Sequence, residues 1–280
     1  MKFIHQNTGL QWTRDGSSRA TKVLLLHGLS GISTGYDEVV EQLASDADVF
    51  RIDLRGHGRS DHAAETYSVP YYTADVVAFI EEVITEPVVL AGHSLGGVIT
   101  HHLTATRPDL VRSAMCEDPP LYFCDQSLFE QSVFATIFPI LEASMRSAQA
   151  EARSHEFFVS MVADAVMPWG RAGDHMSAKA VQSRADALML ADPDVWGPAI
   201  HGGALSGYDP DARITKPMII LQADPKMGPA LFPEHAARQH AANPEVDIRL
   251  ITGAPHGIHS FLGSGDRYIE ALGDTIKRAT

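Results

Sequence analysis

Cysteine is almost absent. Cys116 and Cys124 are the whole complement. One falls in an expected strand and the other in the loop after it, so a disulfide framework is not expected and a reducing cytoplasm fits. Long apolar runs are missing as well. Nothing approaches the roughly 20 residues that span a bilayer. The opening Met1-Lys2-Phe3-Ile4-His5-Gln6-Asn7 lacks the apolar core and cleavage site of a signal peptide. Positive charge is scarce: 22 Lys and Arg face 35 Asp and Glu, a net charge of −13. That balance argues against a nucleic-acid partner and against an anionic membrane surface. Internal repeats and low-complexity tracts are not visible. Histidine is plentiful, at 14 residues, yet no His-x-x-x-His pair brackets a glutamate. The adjacent His101 and His102 point to different helix faces. Neither a metal nor a cofactor is expected.

What remains is an ordinary globular composition, 45% hydrophobic and 20% charged over 280 residues. That length suits one large α/β domain with an insertion, or two small domains. Residues 1–20 read as an amphipathic hairpin turning at Asn7-Thr8-Gly9. Strands and helices then alternate. Val23–Leu26 is a buried strand, Tyr36–Leu43 a helix, Val49–Leu54 a strand and Tyr71–Ile84 a helix. Ser113–Glu117 is another strand. The alternation implies a parallel sheet with right-handed crossovers and helices on both faces. It breaks after Pro119-Pro120. From there to about Tyr208 only helical spacing is found, which predicts a helical insertion over the carboxyl edge of the sheet. Alternation resumes with the strand 217–221, a helix over 233–241, the strand 246–251 and a last helix over 266–278. The expected organisation is a core of residues 1–121 and 210–280 with a helical cap at 122–209.

The most informative residues are Gly92-His93-Ser94-Leu95-Gly96-Gly97. They follow the apolar run Pro87-Val88-Val89-Leu90-Ala91 and precede a helix. A Gly-x-Ser-x-Gly between strand and helix is a nucleophile elbow. Small residues on either side let neighbouring backbone pass close, and the helix N-terminus favours developing negative charge. His27-Gly28-Leu29 follows the first buried strand. A loop there can aim the Leu29 N–H at the serine, with the Leu95 N–H as second donor of an oxyanion hole. His27 itself is read as turn packing. A serine also needs a base. His256, in Gly253-Ala254-Pro255-His256-Gly257-Ile258-His259, sits on a short loop at the same sheet edge. His259 is its competitor, read as surface or packing.

In order along the chain, His27-Gly28, the turn Asp53-Leu54-Arg55-Gly56-His57-Gly58-Arg59-Ser60, the elbow and the His256 loop resemble the α/β-hydrolase family. The resemblance covers residues 1–121 and 210–280. It implies an α/β fold with an eight-stranded, mostly parallel sheet and a Ser–acid–His triad. Serine at the elbow argues against the haloalkane dehalogenase and epoxide hydrolase branches, which use aspartate there. The family's acid usually follows the strand here ending at Leu221, in a Gly-x-x-Asp pattern. This chain departs from it: Lys226 falls at the acid position, and Asp224 sits two residues early, before Pro225. Some members carry the acid after the strand that follows the nucleophile helix. That place is Asp118, 24 residues past Ser94 (118 − 94). Glu117 adjoins it, but strand alternation sends neighbouring side chains to opposite faces. Pro119 is expected to hold Asp118 extended. Asp118 is therefore the first candidate acid, Asp224 the second and Glu117 the third.

The expected function is hydrolysis of a carboxylic ester or lactone through an acyl-enzyme on Ser94, with His256 as base and Asp118 orienting it. Carbon–carbon bond hydrolysis, perhydrolysis and acyl transfer use the same triad, and a hydrolase-like receptor is the rival of another class. The expected partner is a small apolar substrate. Phe123, Phe129, Phe134, Phe138, Phe157, Phe158, Met161, Trp169 and Trp196 crowd the insertion. They read as cap core first and as pocket lining second.

Overall fold

The computed structural model describes residues 1–18, 20–43, 47–167 and 169–279. The chain opens with strands β1 (Lys2–His5) and β2 (Thr8–Gly16), antiparallel to each other. The hairpin turns on Gln6 and Asn7, with φ of 47° and 65°. Paired positive φ values are what a tight two-residue hairpin needs, so Thr8 and Gly9 join β2 instead of the turn. Strand β3 (Thr21–Leu26), helix α1 (Asp37–Leu43), strand β4 (Ala47–Ile52) and helix α2 (Val69–Phe79) follow. Next come β5 (Val88–His93), α3 (Leu95–Thr106) and β6 (Val111–Glu117).

After β6 the chain leaves the sheet. It forms α4 (Gln126–Glu130), α5 (Val133–Ala150), α6 (His155–Ala163), the two-residue strands β7 (Val166–Met167) and β8 (Gly170–Arg171), α7 (Ala178–Leu190) and α8 (Trp196–Ile200). The small β7–β8 hairpin corrects the expectation of helices alone. It is too short for a period-2 pattern to register in sequence. The chain returns with β9 (Met218–Ala223), α9 (Pro233–Ala242), β10 (Asp247–Ile251) and α10 (Gly265–Lys277).

The eight-stranded sheet has the order β1-β2-β4-β3-β5-β6-β9-β10. All pairs from β4 to β10 are parallel, and β2 joins β4 antiparallel. The central strands carry apolar residues on both faces, as covered parallel strands do. Leu24 and Leu26 of β3 pack with Val76 of α2 and Val98 of α3, while Val23 and Leu25 pack with Val40 of α1 and Leu272 of α10. Phe129, Met145, Phe158, Leu188 and Trp196 from the excursion join the first of these cores. Polar links add to the docking: Tyr67 Oη donates to Asp192 at 2.6 Å, and Ser177 Oγ to Glu38 at 2.8 Å. Among the described residues, no helix is long and apolar enough to cross a membrane.

Candidate active site

Strand β5 ends at His93, and the chain reverses at once into α3. Ser94 takes the turn with φ 53° and ψ −115°, a conformation that L residues avoid. The surrounding packing holds it there. The Ser94 N–H donates to the Glu117 carbonyl at 2.9 Å. A Cβ on Gly92 would lie 2.1 Å from the Gly96 carbonyl oxygen, and one on Gly96 would lie 2.2 Å from that of Leu26. Only glycine fits either place. The elbow expected from Gly-x-Ser-x-Gly is therefore present, built by close backbone crossings.

The loop after β3 approaches the same point. A Cβ on Gly28 would meet Ser94 Cβ at 3.0 Å and His93 Nδ1 at 2.7 Å. Leu29 and Leu95 line one cavity with Ser94. Leu95 opens α3, so its N–H has no carbonyl one turn back. His27 braces this loop: its Nδ1–H donates to the Gly28 carbonyl at 2.8 Å, and its Nε2 accepts from the Leu54 N–H at 3.0 Å. Burial pushes His27 down to about 4, so the ring stays neutral. Its role is the turn packing read from the sequence.

Asp118 and His256 are brought together. His256 Nδ1–H donates to Asp118 Oδ2 at 2.7 Å, and the Asp118 side chain is fully buried. Three backbone groups also donate to this carboxylate: Ala223 N–H at 3.1 Å, Ala230 N–H at 2.7 Å and Leu231 N–H at 3.2 Å. Every partner is a donor, which suits an ionised acceptor. Asp118 has φ 40°, not the extended backbone expected before Pro119. The side-chain bonds, together with its N–H donating to the Leu221 carbonyl at 2.7 Å, override the local preference.

His93 was not singled out as a site residue, although it sits inside the motif. Its Nε2–H donates to the His256 carbonyl at 3.1 Å, and the two rings lie 4.6 Å apart. The Phe134 ring also lies against His256, at 4.8 Å, and lines the cavity with Ser94. No hydrogen bond among the described residues joins Ser94 Oγ to His256; His93 and Phe134 are the residues in contact with His256 that adjoin Ser94 in sequence or line the cavity with it. Such bonds often tighten only once substrate is bound.

The other acid candidates go elsewhere. Glu117, also fully buried, accepts the N–H of His259 at 2.8 Å and its Nδ1–H at 2.7 Å. His259 stacks on Tyr36 at 4.7 Å, within the core on the α1 and α10 side. The alternation argument thus separates two carboxylate–imidazole pairs on neighbouring residues. Asp224 accepts the Lys226 N–H at 2.9 Å and the Gly253 N–H at 2.8 Å. It ties the turn after β9 to the loop that leads to His256. Lys226 is exposed.

The cavity beside Ser94 holds about 630 Å³ of empty space, part of it open to solvent. Its walls are apolar: Phe123, Phe129, Phe134 and Phe138 face Leu205 and Pro198. Four of the nine residues singled out in the insertion therefore line it. Trp196 is buried behind Phe138, ring to ring at 5.0 Å. Trp169 packs on Phe261 and His175, each at 5.3 Å, away from these walls.

Comparison with known proteins agrees with this geometry. A sequence model described as the alpha/beta hydrolase family matches residues 23–271. A serine hydrolase-like protein of Danio rerio is 33% identical over 105 residues, 37% of this chain and 32% of that protein. A 2-(acetamidomethylene)succinate hydrolase of Mesorhizobium japonicum is 22% identical over 238 residues, 85% of this chain and 82% of its own length. The chain thus spans about a third of the first relative and most of the second. The crystal structure of the enol-lactonase from Burkholderia xenovorans LB400 superposes with a TM-score of 0.72 at 16% identity, over 99% of this chain and 100% of that one. At that identity the likeness establishes the fold.

Proposed function

The chain belongs to the alpha/beta hydrolase family, and from that premise we propose that it is a serine hydrolase that cleaves a carboxylic ester or lactone on Ser94. The observation that carries the reading is the 2.7 Å bond from His256 to a fully buried Asp118 at the sheet edge where the elbow presents Ser94. With Nδ1–H given to Asp118, the lone pair of His256 is on Nε2. Ser94 Oγ attacks the carbonyl carbon and its proton passes to Nε2. The carbonyl oxygen gains negative charge and takes the N–H groups of Leu29 and Leu95. The carbon–oxygen bond of the ester breaks, and His256 returns the proton to the leaving alcohol. Water then attacks the acyl-enzyme by the same route in reverse, releasing the acid and free Ser94. The resident groups suffice for each proton transfer.

In this reading residues 122–209 act as a cap over the core formed by 1–121 and 210–280. The aromatic wall from the excursion and the contribution of Leu29 and Leu95 from the sheet edge support that division. The names of the relatives, an enol-lactonase and a 2-(acetamidomethylene)succinate hydrolase among them, support hydrolytic chemistry. Multiple-turnover hydrolysis of 4-nitrophenyl butanoate, abolished in Ser94→Ala, is the expected result. Cleavage of a β-diketone with the ester refused would move the reaction to carbon–carbon bonds. A single turnover followed by silence would make the protein a receptor.

A further inference from the structure

One side chain reaches from the residue before Ser94 to both the base loop and the expected oxyanion loop. His93 ends β5, and its own peptide bond leads to Ser94. Its Nε2–H donates to the His256 carbonyl at 3.1 Å, and the two rings lie 4.6 Å apart. Its other edge presses on Gly28, the residue before Leu29. A Cβ placed on Gly28 would lie 2.7 Å from His93 Nδ1 and 3.2 Å from its Cε1. Among the described residues no carboxylate bonds to this imidazole. Desolvation, and then the imidazoles of His256 and His259, hold it well below its ordinary value, so the ring stays neutral. A neutral ring whose N–H is given to a carbonyl adds no charge beside His256 when that base takes up its proton.

The base loop needs such a hold. His256 lies past the end of β10, outside any helix or strand. The hydrogen bond to Asp118 fixes one corner of its ring. The ring can still swing about that corner, and Nε2, on the far side, moves furthest. The backbone around it is tied at two places. The Ala254 carbonyl accepts the Asp224 N–H at 2.8 Å, and the His259 N–H goes to the Glu117 carboxylate at 2.8 Å. Glu117 also accepts the Ser94 N–H through its carbonyl, so the second tie refers the loop to the elbow. Between these points, among the described residues, the bond from His93 is the one that ties the backbone of residues 255–257 to the sheet.

We propose that His93 is a positioning residue for His256: its Nε2–H fixes the carbonyl of the base loop, Asp118 fixes the ring at Nδ1, and the two together keep Nε2 of His256 in reach of Ser94. This rests on the serine-hydrolase reading and deepens it by one residue. His93 takes no proton from Ser94, and it does not line the apolar cavity. Its loss should therefore appear in kcat and leave KM nearly alone.

The test moves the donor by one bond. Glutamine carries its N–H donor two bonds past Cγ, where imidazole carries Nε2. Asparagine carries it one bond past Cγ, where imidazole carries Nδ1. Leucine has no donor. With 4-nitrophenyl butanoate, His93→Leu and His93→Asn should lose about 10–100-fold in kcat, the cost of a base displaced by around an ångström. His93→Gln should recover most of that loss. Rates are taken per folded protein, measured by circular dichroism. Equal kcat in the three variants, a fall confined to KM, or activity that tracks Tm whatever the donor's position would overturn the proposal and leave His93 as packing. If the wild type turns over no ester, the hydrolase reading fails, and the positioning is read without substrate. The downfield proton resonance of His256 Nδ1–H, identified by its loss in His256→Gln, should be sharp in the wild type and in His93→Gln and broadened by exchange in His93→Leu. Equal line widths in all three would overturn the inference.

Discussion

Replacing Asp118 by asparagine tests the site and its scaffold together. The carboxylate receives four donors, two at each oxygen. Oδ1 takes the N–H groups of Ala223 and Leu231, while Oδ2 takes that of Ala230 and the Nδ1–H of His256. An amide offers one acceptor oxygen and one donor nitrogen. Whichever way it turns, its NH₂ meets two donors. If the NH₂ faces His256, the imidazole must present a bare Nδ1 and carry its proton on Nε2. That tautomer cannot accept the serine proton, and kcat should fall by about 10³–10⁴. If the NH₂ turns to Ala223 and Leu231, two buried N–H groups lose their acceptor, at about 1–3 kcal/mol each. The predicted signature is thus a loss of both activity and stability, with Tm lower by roughly 5–15 °C. Circular dichroism melts and steady-state hydrolysis on the same preparation measure the two. Asp224→Asn is the control. Its carboxylate caps an exposed turn, so it should cost less than about tenfold in kcat, the effect of a slightly displaced His256 loop. A folded Asp118→Asn within tenfold of wild type, or an inactive Asp224→Asn, would refute the assignment.

Acid should unfold the protein in a defined window. His27, His57 and His101 are buried and held neutral, at about 4, about 3 and about 3, whereas in the unfolded chain they titrate near the ordinary 6.5. The unfolded chain therefore binds more protons below about pH 6.5, so stability is full above that value and falls as the pH drops toward 4. Unfolding free energies from urea melts between pH 4 and 8 should rise and then level off, with a slope of up to roughly 4 kcal/mol per pH unit if all three rings contribute; a flat profile from pH 4 to 7 would contradict it. Trp196→Ala should destabilise by about 3–5 kcal/mol, as expected for a buried aromatic, and loosen the Phe138 wall, whereas Trp169→Ala should leave acyl-chain preference unchanged; a shift in chain length with Trp169→Ala would place that ring at the pocket after all. Phe138→Ala should extend the preferred acyl chain, read from kcat/KM across a series of 4-nitrophenyl esters, and an unaltered series would remove Phe138 from substrate contact.

The parts of this fold that read well from sequence are those where pattern and sterics coincide. Val23–Leu26 and Val88–Ala91 are too apolar to face water on either side, and they became central parallel strands. Gly92 and Gly96 marked the elbow because no other residue tolerates the backbone crossing there. Asp118 became the first candidate acid through the alternative acid position that the family resemblance implies, and alternation sent Glu117 to the opposite face. The Asp118 backbone was misread, because four hydrogen bonds formed with distant residues outweigh the neighbouring proline. The Glu117–His259 pair escaped for the same reason: its partners are 142 positions apart. The β7–β8 hairpin was too brief to leave a pattern. Trp169 and Trp196 looked alike in composition; only packing distinguishes them from the four phenylalanines that face the cavity.

The central claim is that Ser94 is the nucleophile. Incubation with a fluorophosphonate and intact-protein mass spectrometry tests it directly. The account predicts one adduct, mapped to the peptide containing Ser94, formed in step with loss of ester hydrolysis and absent from Ser94→Ala. An adduct on another residue, with hydrolysis surviving in Ser94→Ala, would contradict it.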